Sequence, residues 1–162
     1  MVRFLALAGM LLASTLPARS AAGLSGLWLT QDRNGVIEVS HCGDRLCARI
    51  VGVVLDHPDD KMPLDYRGMP QCDLPLVSDA EEIRPNLWKG HLTDPRSGSV
   101  YGAEIHLNPN GTLALRGYLG FTLLGRTQTW TRYSGTLPAD CRLEAAGGSS
   151  GGSSGGSSEA SR

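Results

Sequence analysis

Between Leu24 and Tyr133, apolar side chains return at every second position in short runs, and each run is closed by Gly, Asn, Asp or Pro. A period of two belongs to the pleated strand, whose successive side chains alternate between faces, and not to a helix. The runs are Leu24–Leu29, Val36–His41, Leu46–Leu55, Leu87–Leu92, Tyr101–Leu107, Leu113–Leu119 and Thr127–Tyr133, with a weaker eighth around Leu74–Val77. Between them, Asp32-Arg33-Asn34-Gly35, Asp94-Pro95-Arg96-Ser97-Gly98 and Asn108-Pro109-Asn110-Gly111 supply residues that tolerate positive φ or preset a bend. No segment of similar length carries a helical stripe, and Ala80–Pro85 offers at most one turn of helix. About seven or eight strands in hairpin succession make an antiparallel meander, which must close or stack to protect its edges. The expected fold is all-β, an up-and-down antiparallel barrel.

Alternation also assigns faces. Tyr101, Ala103, Ile105 and Leu107 share one side of their strand, and Leu113, Leu115, Gly117 and Leu119 share one side of the next. Gly117 permits the bend that a small barrel requires. The inward set is apolar, the chemistry of a packed core or of a greasy cavity.

The two ends differ from this pattern. "MVRFLALAGMLLASTLPARSAAG" carries one early base, an apolar stretch from Phe4 to Leu16, then Pro17 and small residues. It reads as a secretory signal peptide cleaved after Ser20 or Ala22. The apolar stretch falls short of the roughly 20 residues of a membrane span, and Arg19 interrupts its far side. From Ala145 onward Gly and Ser dominate, a composition with nothing to bury and the behaviour of a flexible coil. The expected division is a leader over 1–22, a barrel domain over 23–144 and a flexible tail over 145–162. The mature protein is expected outside the cytoplasm, periplasmic or secreted, with no transmembrane segment.

Charge and cysteine content narrow the partners. The formal net charge is −1, so no basic field exists to attract nucleic acid. Four cysteines in an exported chain favour disulfides over metal ligation. Cys42 and Cys47 bracket the turn Gly43-Asp44-Arg45-Leu46 and are placed to bond across a hairpin, which leaves Cys72 to pair with Cys141. Loss of unfolded-chain entropy gives about 2 kcal/mol for the short loop and about 4 kcal/mol for the long one. Zinc would prefer two close pairs, whereas Cys72 and Cys141 each stand alone.

Catalytic signals are sparse. Asp56-His57-Pro58-Asp59-Asp60 gathers three carboxylates and an imidazole, a set that suits a divalent metal or acid–base chemistry. It equally reads as a polar surface turn, and the glycine and terminal glutamate of a Ca²⁺ loop are missing at their offsets. His91 and His106 alternate onto the polar face, away from Trp88 and Tyr101. No Gly-x-Ser-x-Gly is present. No catalytic residue, metal ligand or cofactor is assigned.

Aromatic and arginine positions carry the binding expectation. Trp28, Trp88, Tyr101 and Trp130 either line a pocket or fill a core. Arg126, Gln128, Trp130 and Arg132 share one face of the last strand. Facing inward, these guanidiniums would fix an acidic head group while the wall covers an apolar tail; facing outward, they are merely solvated. Arg116 has the same two readings.

Gly26-Leu27-Trp28 in the first strand, with Thr129-Trp130-Thr131-Arg132 in the last, resembles the calycin and lipocalin arrangement, in which an early Gly-x-Trp is covered by an arginine of the final strand. The resemblance implies that Trp28 closes the barrel floor and that Arg132 stacks on it. A wider likeness runs through "GLW", "VIEVSHCGDRLCARIVGV", "GHLTDPRSGSVYGAEIHL" and "GTLALRGYLGFTLLGRTQTWTR". It resembles the bacterial secreted family known as domain of unknown function 2147. That likeness implies a lipocalin-like barrel in an extracytoplasmic setting, without an established activity. The chain departs from the family pattern in the Asp56–Asp73 loop and at Ala48, so functions residing in that loop are not carried over.

The expected function is that of an exported, non-catalytic barrel binding a small hydrophobic or amphipathic ligand through Trp28, Trp88, Tyr101, Arg126, Trp130 and Arg132. The alternatives are an envelope structural or interaction protein with a filled barrel, and a metal-assisted hydrolase using the Asp56–Asp60 loop.

Overall fold

The computed structural model describes residues 23–145, so the leader expected over 1–22 and all but the first residue of the tail expected over 145–162 lie outside the described residues. The strands are β1 (Gly26–Leu29), β2 (Gly35–Cys42), β3 (Arg45–Leu55), β4 (Pro75–Arg84), β5 (Leu87–Thr93), β6 (Val100–Leu107), β7 (Leu113–Tyr118), β8 (Gly125–Arg132) and β9 (Arg142–Glu144). Each of the first eight pairs antiparallel with its neighbour in the chain, and β1 also pairs with β8, at Trp28 with Arg132 and Leu29 with Thr131. The sheet therefore closes into an eight-stranded antiparallel barrel. Closure leaves no first or last edge within those eight strands.

The ninth strand is an addition that periodicity does not announce. β9 runs parallel to β3, with Val53 opposite Arg142 and Leu55 opposite Glu144. Its three residues are too few to show alternation, and their position is set from outside. A bond between Cys72 and Cys141 ties the segment before β9 to the β3–β4 connection, and Val53 donates its N–H to the Cys141 carbonyl at 2.8 Å. Outside the barrel wall, Gly52 leaves room for this strand. A Cβ on Gly52 would lie 2.6 Å from Leu143 Cδ1 and 3.4 Å from Leu137 Cδ2.

Two local expectations need correction. Ala80–Pro85 is not a helical turn: Ala80 to Arg84 continue β4, which is ten residues long. One helical turn is costly to nucleate in isolation, whereas the extended form gains β-pairing of Ala80 with Leu46 and of Glu81 with Lys89. Leu119 does not join the inward set, because β7 stops at Tyr118 and Leu119 stands 62% exposed in the following turn.

Up-and-down topology sorts the connections between two ends. Hairpins β2–β3, β4–β5 and β6–β7 lie at one end, together with the start of β1 and the close of β8. At the other lie the connections at 30–34, 56–74, 94–99 and 119–124. Asn86, held at φ 63°, makes the β4–β5 turn; its side-chain amide donates to the Leu107 carbonyl at 2.8 Å and accepts the Leu107 N–H at 2.9 Å. The core runs along the axis and includes Trp28, Ile37, Val39, Leu46, Trp88, Ile105, Leu113, Leu115 and Trp130.

Candidate functional site

The floor is built first, because it determines how much of the interior remains. Trp28 is wholly buried on β1 and donates its indole N–H to the Leu24 carbonyl at 2.8 Å. Arg132 on β8 lays its guanidinium over that indole, with the carbon 3.8 Å from the ring centroid. One Arg132 nitrogen donates to the Ser25 carbonyl at 2.7 Å, and the other to the Gly23 carbonyl. Burial lowers the Arg132 pKa from the ordinary arginine value. Gly26 adopts φ 129°, and a Cβ there would meet Arg132 Nη1 at 2.5 Å. Glycine is what permits this turn and this close approach together.

Above the floor the axis is filled. Trp88 is 8% exposed and Trp130 is 4% exposed. Register sets Trp88 beside Ile105, Ile105 beside Leu115, and Leu113 beside Trp130, all on one face. The Trp130 N–H is satisfied by Gln128 Oε1 at 2.8 Å, and His41 meets Trp88 edge-on with centroids 5.4 Å apart.

This register also settles the direction of the arginine face. Trp130 and Gln128 pair with Leu113 and Leu115, and Arg126 pairs with Gly117, so the face carrying Arg126, Gln128, Trp130 and Arg132 is the inward one. Near the open end its occupants are less covered: Leu92 and Tyr101 are half-buried, and Arg126 and Gln128 are exposed. Leu92 and Tyr101 lie opposite each other on β5 and β6. The leucine reaches to 3.6 Å from where a Gly117 Cβ would stand. Six residues singled out in the sequence therefore divide into two groups. Trp28, Trp88, Trp130 and Arg132 belong to the packed floor and middle, while Tyr101 and Arg126 lie toward the mouth. Arg116 points the other way, clasping the β7–β8 turn through Nε and Nη2 to the Thr122 carbonyl at 2.9 and 2.6 Å.

Over the mouth end lies the long β3–β4 connection. Met62 and Leu74 pack on the core, and Asp65 is buried where it organises the loop. Asp65 accepts the N–H groups of Arg67 at 2.8 Å and Met69 at 3.0 Å, and its second oxygen takes the Arg67 guanidinium at 2.8 Å. Burial pushes the Asp65 pKa up, but the bonds from Met69 and Arg67 outweigh it and hold the group below the ordinary carboxylate value. The Tyr66 N–H donates to the Pro95 carbonyl at 2.9 Å, which docks this loop on the β5–β6 turn.

Residues 26–132 match the family described as "Uncharacterized protein conserved in bacteria (DUF2147)". The chain belongs to this family. Among solved structures, the DUF2147 barrel is similar to protein HP1028 of Helicobacter pylori, described as belonging to the lipocalin family. The likeness has a TM-score of 0.56 at 20% identity, covering 68% of this chain and 83% of that one; it speaks to the fold. No curated protein matches the sequence.

In the DUF2147 barrel the remaining candidates take structural positions. Cys42 is bonded to Cys47 and Cys72 to Cys141, each with Cα atoms 5.9 Å apart. The Asp56–Asp60 loop closes on itself: the His57 N–H donates to Asp60 Oδ2 at 2.9 Å, and the Asp60 N–H to the His57 carbonyl at 3.1 Å. Among the described residues no three His, Cys, Asp or Glu side chains converge on a metal position. One group escaped the sequence reading altogether. Asp79 takes the His91 backbone N–H at 3.0 Å and meets His91 Nδ1 at 2.5 Å, beside a wall groove of about 380 Å³ that also reaches Leu74, Leu76 and Val100. No local signal points to it, because β4 carries register shifts against both of its neighbours, and those decide which residue of β4 faces His91.

Proposed function

We propose that this barrel is a non-catalytic binder of a small amphipathic molecule, taken at the open end with its acidic head at Arg126 and its apolar part against Tyr101 and Leu92. The observation that carries this reading is Arg126 itself. It occupies an inward-facing position on β8, is exposed, and makes no ion pair or side-chain hydrogen bond among the described residues, while Leu92 and Tyr101 supply apolar surface on the same face of the nearby β5 and β6. A guanidinium in that setting is ready for a carboxylate or phosphate, which it engages through two parallel N–H bonds. Trp28, Trp88, Trp130 and Arg132 belong to the proposal as the floor that limits how deep the molecule sits. The protein is further proposed to be exported, with 1–22 removed, 23–144 as the binding domain and 145–162 as a flexible extension; its two disulfides suit an oxidising compartment. No helix among the described residues is long and apolar enough to cross a membrane.

A filled-barrel structural role is the second reading, and burial of all three tryptophans favours it. Native mass spectrometry of protein purified from its own envelope separates the two. Carriage predicts a reproducible lipid-sized adduct, and Arg126→Gln should weaken binding of a fluorescent fatty-acid probe about tenfold, the loss of one charge-assisted contact. A consistently bare protein with no probe binding would leave the structural role.

A further inference from the structure

We propose that the β7–β8 turn is a docking surface for an anionic lipid bilayer. Within six residues it exposes four large apolar side chains, Leu119 at 62%, Phe121 at 76%, Leu123 at 89% and Leu124 at 74%. The short 3-10 turn Thr122–Leu124 buries none of its residues, so these side chains contribute nothing to the core. They are nevertheless held in place: the Phe121 N–H bonds the Leu119 carbonyl at 2.8 Å, the Leu124 N–H bonds the Phe121 carbonyl at 3.0 Å, and Arg116 clasps the Thr122 carbonyl. A small apolar tip with its backbone tied internally can enter the lipid headgroup boundary without stranding those polar groups.

Charge selects the partner. From Ile105 to Ala139 the chain contains no Asp or Glu, and Arg116 and Arg126 stand on either side of the tip. An apolar wedge flanked by cations suits a surface that is apolar beneath and negative on top. A second copy of the same turn is a poorer occupant, since a two-fold contact would bring like guanidiniums together. The turn shares its end of the barrel with the connections at 30–34, 56–74 and 94–99, which carry Asp32, Asp56, Asp59, Asp60, Asp65, Asp73 and Asp94, so a negative surface would be met by the tip alone and not by the whole mouth. This inference stands whether or not a ligand occupies the interior.

Co-sedimentation with vesicles tests it, comparing phosphatidylcholine alone with phosphatidylcholine containing phosphatidylglycerol. The full chain is compared with its Phe121→Ser/Leu123→Ser variant, so that segment 1–22 contributes equally to both. The expected result is binding that requires phosphatidylglycerol, weakens as salt rises, and falls about tenfold or more in the variant, with an unchanged melting temperature because neither side chain is in the core. Equal sedimentation of the two chains, or of the wild type with both vesicles, would overturn the proposal. So would a dimer in sedimentation velocity that the substitutions abolish while vesicles go unbound, which assigns the turn to self-association.

Discussion

Arg132 lies over Trp28 with 3.8 Å between the guanidinium carbon and the ring centroid, and the same two residues face each other across the β1–β8 pairing that closes the barrel. The contact joins the two strands of the barrel most distant in the chain. It also satisfies the carbonyls of Gly23 and Ser25 as the chain enters β1.

Removing the indole should therefore cost more than removing its cover. Trp28→Ala is expected to destabilise by about 3–5 kcal/mol, and Arg132→Gln by about 1–3 kcal/mol through the lost stacking and hydrogen bonds. Urea denaturation of both variants measures the difference; a transition unchanged by Trp28→Ala would remove the floor role.

The disulfides should differ in weight because they close loops of different length, with sequence separations of 5 and 69. Replacing Cys72 and Cys141 by Ser is expected to cost about 4 kcal/mol and replacing Cys42 and Cys47 about 2 kcal/mol. Denaturation in the presence and absence of reductant checks the order, and thiol titration of native protein should find no free groups.

Gly90 sits where β5 crosses β4 at close range. A Cβ there would lie 2.7 Å from Ala80 Cα and 2.9 Å from Ala80 N, backbone atoms that yield only if the strands part. Gly90→Ala is expected to cost about 1–3 kcal/mol and to speed amide exchange at His91, whose N–H is held by Asp79. Wild-type exchange rates there would show that the strands had not moved.

Asp65 predicts an acid limit for the 56–74 loop. Its folded pKa lies below the ordinary value of 3.8, so its contribution is complete above that value and is lost as pH falls through the lower folded value. Proteolytic nicking of the loop by an acid-active protease should rise across that window. Asp65→Asn should raise cleavage already at the upper edge of that window and flatten the dependence; an identical pH profile in the variant would count against the role.

Most of the wall was legible from alternation and turn residues, since both are local. Ile105 and Leu115 face the core because β6 and β7 alternate without interruption through a six-residue register. The pairing of Asp79 with His91 was invisible for the opposite reason: register shifts within β4 change which side chain points where, and no pattern within the strand records them.

From its residues alone this chain specified strands, turns and the pairing of its cysteines, while the likeness of Gly26, Trp28 and Arg132 to the calycin arrangement implied the way its barrel is sealed. Tertiary structure alone decided that the Arg126 face turns inward, that Ala80–Arg84 extend a strand instead of forming a turn of helix, and that β9 joins β3 in parallel. The division follows the range of the forces. Side-chain alternation and backbone preference act over a few residues, whereas facing, register and strand addition depend on partners supplied by distant parts of the chain.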